Sequence, residues 1–297
     1  MTHPATPPID AATLHALRQW VGRETQVQDT VTAAPLDGLA ATLDHDGPPA
    51  RHGDRVPPLG HWLYFLPHAR QSELGPDGHP RRGGFLPPVP LPRRMWAGGS
   101  LRWQAANPLR VGDHARRHSL IAAVDHKTGR SGELVFVQVQ HRIENAHGLA
   151  LTETHDIVYR SAPQPGAAVP AAQSAPQGAQ WSRTVVPDDV LLFRYSALTF
   201  NGHRIHYDRR YVTQEEGYPG LVVHGPLIAT LLLDLLHRHQ PRAWVVEFDY
   251  KVLRPTFDRH PFSVHGRLAE SGHHADLWAC GPDGAPTLQG RATLLPG

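Results

Sequence analysis

One cysteine, Cys280, stands in the whole chain, so no intramolecular disulfide can form and no four-cysteine zinc site can be built. No apolar run approaches the ~18 residues that a membrane span needs. The start of the chain, Met1 to Pro8, lacks the basic flank and apolar core of a secretory signal. Charge of one sign is missing as well: 29 Lys and Arg against 27 Asp and Glu leave +2 with neutral histidine. That is far from the positive field that nucleic-acid binding requires. The chain therefore reads as soluble and cytoplasmic, in a reducing compartment, with neither nucleic acid nor membrane as a partner.

The chain does have length, turns and histidine. Its 297 residues suit one large domain or two of about 150 residues. The 27 Gly and 29 Pro predict many turns and short elements rather than a helical bundle. The 22 His are mostly scattered singly, as at His3, His15, His45, His52, His61, His68 and His79, and read as polar filler.

From Ser161 to Gln180 every residue except Val169 is Ala, Pro, Gln, Gly or Ser. Such a stretch cannot bury a core and reads as a linker between an N-terminal unit, 1–160, and a C-terminal unit, 181–297. Strands are predicted at Ser100–Ala106, Ala115–Val124, Leu134–Ile143 and Leu149–Tyr159 in the first unit. In the second they are predicted at Trp244–Leu253, Phe262–Ala269, Ala275–Cys280 and Thr287–Leu295, with Gly- or Pro-rich turns between. Leu227 to Leu236 is apolar nearly all round and follows Gly225-Pro226, which suits a buried helix with proline in its first turn. A buried helix followed by antiparallel strands that wrap it is the layout of a hotdog fold. Two similar units predict an α+β double hotdog.

Two elements carry candidate chemistry. Asn201, His203 and His206 fall within six positions of a polar loop, where an amide and imidazoles can enter one cavity for acid–base work. Gly217 to Pro226 then delivers Gly225 to the start of the apolar helix. Unpaired N–H groups and the positive dipole end there can hold an oxygen that becomes negative during reaction.

Together these elements resemble the hydratase motif of the MaoC-like, (R)-specific enoyl-thioester hydratases and dehydratases. The resemblance rests on Phe193, Ala197, Leu198, Thr199, Asn201, His203 and His206, then Val223-His224-Gly225. It implies that His206 is the catalytic histidine and that Gly225 offers its N–H to the thioester oxygen. Asn201 stands where that family has an aspartate, and His203 where it has an asparagine. The chain is further similar to the two-domain branch, through Leu192 to Thr199. Within that branch His61 to Pro67 and Gly83 to Gly99 look most like the 3-methylfumaryl-CoA (mesaconyl-CoA) hydratase group. The reaction implied is reversible addition of water to an α,β-unsaturated acyl-CoA, 3-methylfumaryl-CoA or itaconyl-CoA giving citramalyl-CoA, with neither metal nor cofactor. A 3-hydroxyacyl-thioester dehydratase of fatty-acid metabolism is the alternative.

Asparagine cannot take a proton, so His206 must act as base with a helper among His203, Tyr207, Asp208 or the N-terminal unit. His203, Tyr207, His224, Arg93, Arg94 and Trp96 are the expected substrate-binding residues, Arg93 or Arg94 for the free carboxylate of a dicarboxylic acyl group. The pairs Arg81-Arg82, Arg93-Arg94 and Arg209-Arg210 are candidates for the CoA phosphates. Against these stand a hotdog module that binds acyl-CoA without chemistry, a His203–His206–Asp208 metal triad, and a thioesterase. A double hotdog contains the two-unit pairing already, so monomer and homodimer are both compatible.

Overall fold

The structure, a computed structural model, describes residues 9–129, 132–161 and 174–295. Most of the expected linker, residues 162–173, lies outside the described residues. Among the described residues ten strands form one antiparallel sheet in the order β1-β3-β4-β5-β2-β7-β10-β9-β8-β6. The first half of the sheet holds β1 (Glu24–Thr30), β2 (Arg93–Trp103), β3 (His114–Gly129), β4 (Gly132–Asn145) and β5 (Gly148–Arg160). The second half holds β6 (Trp181–Val185), β7 (Trp244–Val252), β8 (Phe262–Leu268), β9 (His274–Cys280) and β10 (Pro286–Leu295). The eight predicted strands are all present. β2 begins seven residues before its predicted start, in the pairing of Arg93 with Arg160 and Arg94 with Tyr159.

The two halves join where β2 pairs with β7 from Gly98–Lys251 to Arg102–Glu247. Glycine is required at this seam. A Cβ on Gly98 would lie 2.4 Å from the Tyr250 carbonyl, and one on Gly99 would lie 2.8 Å from the Tyr250 hydroxyl.

The helices are α1 (Ala11–Arg18), α2 (Ala33–Thr42), α3 (Asp189–Leu198), α4 (Arg209–Gln214) and α5 (Gly225–His239). Proline in the first turn pre-sets φ for α5, and His237, Arg238 and His239 complement the dipole at its end. All ten residues from Leu227 to Leu236 are buried, most of them against β6, β8, β9 and β10. Each leucine so buried contributes about 1.5–3 kcal/mol. The first half of the sheet has no counterpart of α5 among the described residues: α1 lies mainly on β3, and α2 packs against α3 and the single turn Gly60–Leu63.

That difference leaves its mark on the inner face of β3, β4 and β5. Ile121, Val135, Val137, Val139, Ile157 and Tyr159 belong to one apolar cluster, and Ile143 and Leu151 to another. Between them runs a polar row in register, Ser119 opposite His141 and His141 opposite Glu153. No described helix is long and apolar enough to cross a membrane.

Candidate active site

Chain reversal after α3 builds the motif loop. Thr199 caps the helix, Phe200 takes a left-handed φ of 48°, and the Asn201 side-chain oxygen accepts the His203 N–H at 3.0 Å. The loop closes in a single turn, Arg204–His206, that buries His206. The His206 Nδ1 lies 2.6 Å from the Val222 carbonyl oxygen. A carbonyl only accepts, so Nδ1 carries the hydrogen and Nε2 presents a free lone pair. Burial pushes His206 down to about 4, against the opposing pull of the Val222 bond. The imidazole is therefore neutral and basic at Nε2 throughout the physiological range.

Three more imidazoles enclose it. His224 stacks on His206 with ring centres 3.7 Å apart, and its Nε2 is 2.8 Å from the Ser196 hydroxyl. His203 stands perpendicular to His206 at 5.5 Å, and His79 lies on His203 at 4.0 Å. Burial, and then the neighbouring imidazoles, hold His203 far below the usual histidine range, and burial lowers His224 and His79 too. His79 donates from Nδ1 to Asp77 at 3.3 Å. Burial alone would raise the Asp77 carboxyl, but the His79 bonds and the Arg94 charge bring it below its ordinary value. Beside His224, α5 begins at Gly225, whose N–H lies in the turn where helical donors have no intrahelical partner. A Cβ at Gly225 would meet only Val252, at 3.5 Å, so the protein's own packing does not require glycine there.

Arg94 carries its positive charge into this cluster, acting on Asp77, His79 and His203, and also on His155 across the face. Arg93, its neighbour in β2, points the other way: it donates to the Glu216 carbonyl and the Tyr218 hydroxyl, and its guanidinium covers the Tyr218 ring. Trp96 packs on His155 at 3.9 Å and on Trp62 at 5.0 Å, beside the polar row.

Tyr207 also departs from expectation. It is 45% exposed, and its hydroxyl donates to the Gly202 carbonyl, which closes the loop instead of entering the cavity. Asp208 accepts from Arg204 and caps α4, so it does not join His203 and His206 as a metal triad. Of the predicted phosphate pairs, Arg82 is committed to the carbonyls of Val89, Leu91 and Pro92, and Arg209 to Asp189 and Asp258. Asp234, the helix carboxylate a thioesterase reading needs, is held by His45, Arg183 and Arg238.

Three histidines read as filler are structural or site residues. His45, bound to Asp234, is one and His79 another. His61 is buried and donates to Glu153 at 3.2 Å, while Trp62 donates to the other Glu153 oxygen at 3.0 Å. Burial would raise Glu153, yet the His61 bond and the surrounding histidines hold it well below the usual carboxylate range. The signal for His79 was the run Asp77-Gly78-His79-Pro80, a turn that carries two titratable groups. A cleft of about 540 Å³ lined by Asp125, Lys127, Gln138, Asp156 and Lys251 is separate from these histidines, Asp156 pointing to the sheet face opposite His155.

The model of the family described as hydroxyacyl-thioester dehydratase type 2 matches residues 58–258, a span that covers β2 to β7 and the whole motif loop. The chain belongs to that family. It is an enzyme of the hydro-lyase class. Among curated relatives of this chain, the mesaconyl-C(4)-CoA hydratase of Chloroflexus aurantiacus is 49% identical over 278 residues, covering 93% of this chain and 96% of the relative. A MaoC-like dehydratase of known structure superposes with a TM-score of 0.67 at 12% identity, covering 95% of this chain and 99% of the other. A Mycobacterium tuberculosis protein described as a double hotdog superposes with a TM-score of 0.53 at 15% identity, covering 93% and 96%. At those identities the two structures speak for the fold, and the chain is a double hotdog as its sequence predicted.

Proposed function

We propose that the protein adds water reversibly to 3-methylfumaryl-CoA, with His206 as base and Gly225 as oxyanion donor. The neutral Nε2 of His206, fixed by the Val222 carbonyl, is the observation that carries this reading. His206 takes a proton from water as its oxygen bonds to the β-carbon. The π electrons move toward the thioester, and the charge collects on the oxygen held by the Gly225 N–H. The imidazolium then returns a proton to the α-carbon.

The β-carbon of this substrate bears a carboxylate, and Arg94 would receive it. Arg93 is committed elsewhere. His203, His224 and Trp96 line the pocket, and Asn201 shapes its loop. The identity with a relative named for mesaconyl-C(4)-CoA favours the same acyl group here. Residues 1–160 and 181–297 would form the two hotdog units. The free cysteine, Cys280, is buried, which suits a reducing cytoplasm.

The test follows enoyl-thioester absorbance with 3-methylfumaryl-CoA and crotonyl-CoA as separate substrates. Fast loss with the first, abolished in His206→Ala with the fold retained, supports the reading. Arg94→Gln should raise KM for the dicarboxylic substrate about tenfold or more and leave crotonyl-CoA unchanged. Loss with crotonyl-CoA alone would move the enzyme to simple acyl chains, and binding without turnover would make it a non-catalytic module.

A further inference from the structure

The hydratase reading leaves a charge unaccounted for. When His206 becomes an imidazolium it does so among His203, His224, His79 and Arg94, with Arg82 also acting on His79, and every one of these is neutral or positive. The motif position that normally supplies a carboxylate holds Asn201, whose side-chain oxygen is already committed to the His203 N–H. Asp208, the carboxylate on the same loop, is committed to Arg204 and to the start of α4.

A carboxylate does reach the cluster, from far away in sequence. The turn Pro76–His79 docks on the motif loop. The Arg204 N–H donates to the Asp77 carbonyl at 2.9 Å, and the Arg204 side chain donates to the Pro76 carbonyl at 2.9 Å. Gly78 has a φ of 85° and lies so close that a Cβ there would come 1.9 Å from the Gly202 carbonyl oxygen. This contact sets the Asp77 carboxylate, His79 and the His203 ring together, with one oxygen or nitrogen of each within 4.8 Å of the others.

We propose that Asp77 and His79 are positioning residues that supply, from the N-terminal half, the negative charge and ring support that Asn201 cannot give. His79, tied to Asp77, fixes the plane of His203, and His203 in turn forms the wall against which His206 and its water are held. The Asp77 charge offsets the imidazolium during the interval between its formation from water and the return of its proton to the α-carbon. No proton leaves the cycle, and the carboxylate stays ionised throughout. This inference rests on the hydratase reading of His206.

The decisive experiment moves the carboxylate. Asp77→Asn should lower kcat about tenfold with KM within twofold, because Asp77 is partly exposed and screened. His79→Ala should lower kcat about 10²-fold. Adding Asn201→Asp to Asp77→Asn should restore most of the loss, since it places a carboxylate back on the motif loop and keeps the acceptor for the His203 N–H. A purely structural role for Asp77 predicts a lower unfolding midpoint with no rescue, and that result overturns the proposal. So does Asp77→Asn with wild-type kcat. Stoichiometric zinc bound to the wild type and lost in both variants would overturn it as well, by making the three groups a metal site. Absence of hydration by the wild type defeats the hydratase reading itself, which keeps the two failures apart.

Discussion

Gly78→Ala perturbs one atom and tests how tightly the two loops must meet. The added Cβ would lie 1.9 Å from the Gly202 oxygen, about 1.5 Å short of an ordinary 3.4 Å contact, and both partners of the clash are backbone. The φ of 85° adds about 1–2 kcal/mol of left-handed strain. The Pro76–His79 turn must therefore lift, stretching the two bonds that Arg204 makes to it. A misplacement of about 1 Å in supporting structure can cost about 10² in rate. The turn is largely at the surface, so its strain is small against the whole fold, and the unfolding midpoint should fall by only a few degrees. Stopped-flow or steady-state hydration with 3-methylfumaryl-CoA, beside a thermal melt, reads both quantities. A variant that keeps kcat within threefold of wild type would refute the idea that this contact sets the active geometry.

Three further expectations follow from the buried histidines and from Gly225. Because burial places His206 at about 4, kcat/KM should hold from pH 7 down to about 5 and fall through about pH 4; a fall near 6.5 would mean that the histidine is not buried in the working enzyme. The same shift makes the fold pH-sensitive. His155 and His206 are at about 4 when folded and near 6.5 when unfolded, so between those values the unfolded chain binds more protons and stability is lost as pH falls. Each contributes up to about 1.4 kcal/mol per pH unit, and equal urea midpoints at pH 5 and 7 would contradict this. Gly225→Ala should melt within a degree or two of wild type, since its Cβ meets Val252 at an ordinary 3.5 Å, yet lose activity because the methyl intrudes where the thioester oxygen approaches; full activity would remove Gly225 from the mechanism.

Much of the architecture was legible in local patterns. Alternation and Gly- or Pro-rich turns marked the meander strands, and the unbroken apolar run marked α5. The strands that escaped, β1 and β6, are the outermost strands of the sheet. Glu24 to Thr30 is almost wholly polar, as suits an edge that must not attract further strands, and such a segment carries little apolar alternation to read. The start of β2 was obscured by the proline-rich approach to Arg93. In the candidate site, Asn201, His206 and Gly225 lie in two nearby elements of one stretch of sequence and could be read together as candidates. Asp77 and His79 could not, because what makes them matter is a backbone contact between turns more than a hundred residues apart. His61 and Glu153 were hidden for the same reason: each looks ordinary until the fold buries one against the other.

The ladder between β2 and β7 has a consequence for how such an enzyme can change. In a sheet assembled from two copies of one polypeptide, every substitution appears twice, and a change useful at one end is imposed on the other. Here the two halves are written separately. Among the described residues the first has no helix to match α5 and carries the row of Ser119, His141 and Glu153, while the second has the helix and the hydratase loop. Each could drift without breaking its neighbour. The proposed reaction centre occurs once among the described residues, so a tight-binding thioester analogue should titrate with one equivalent per polypeptide.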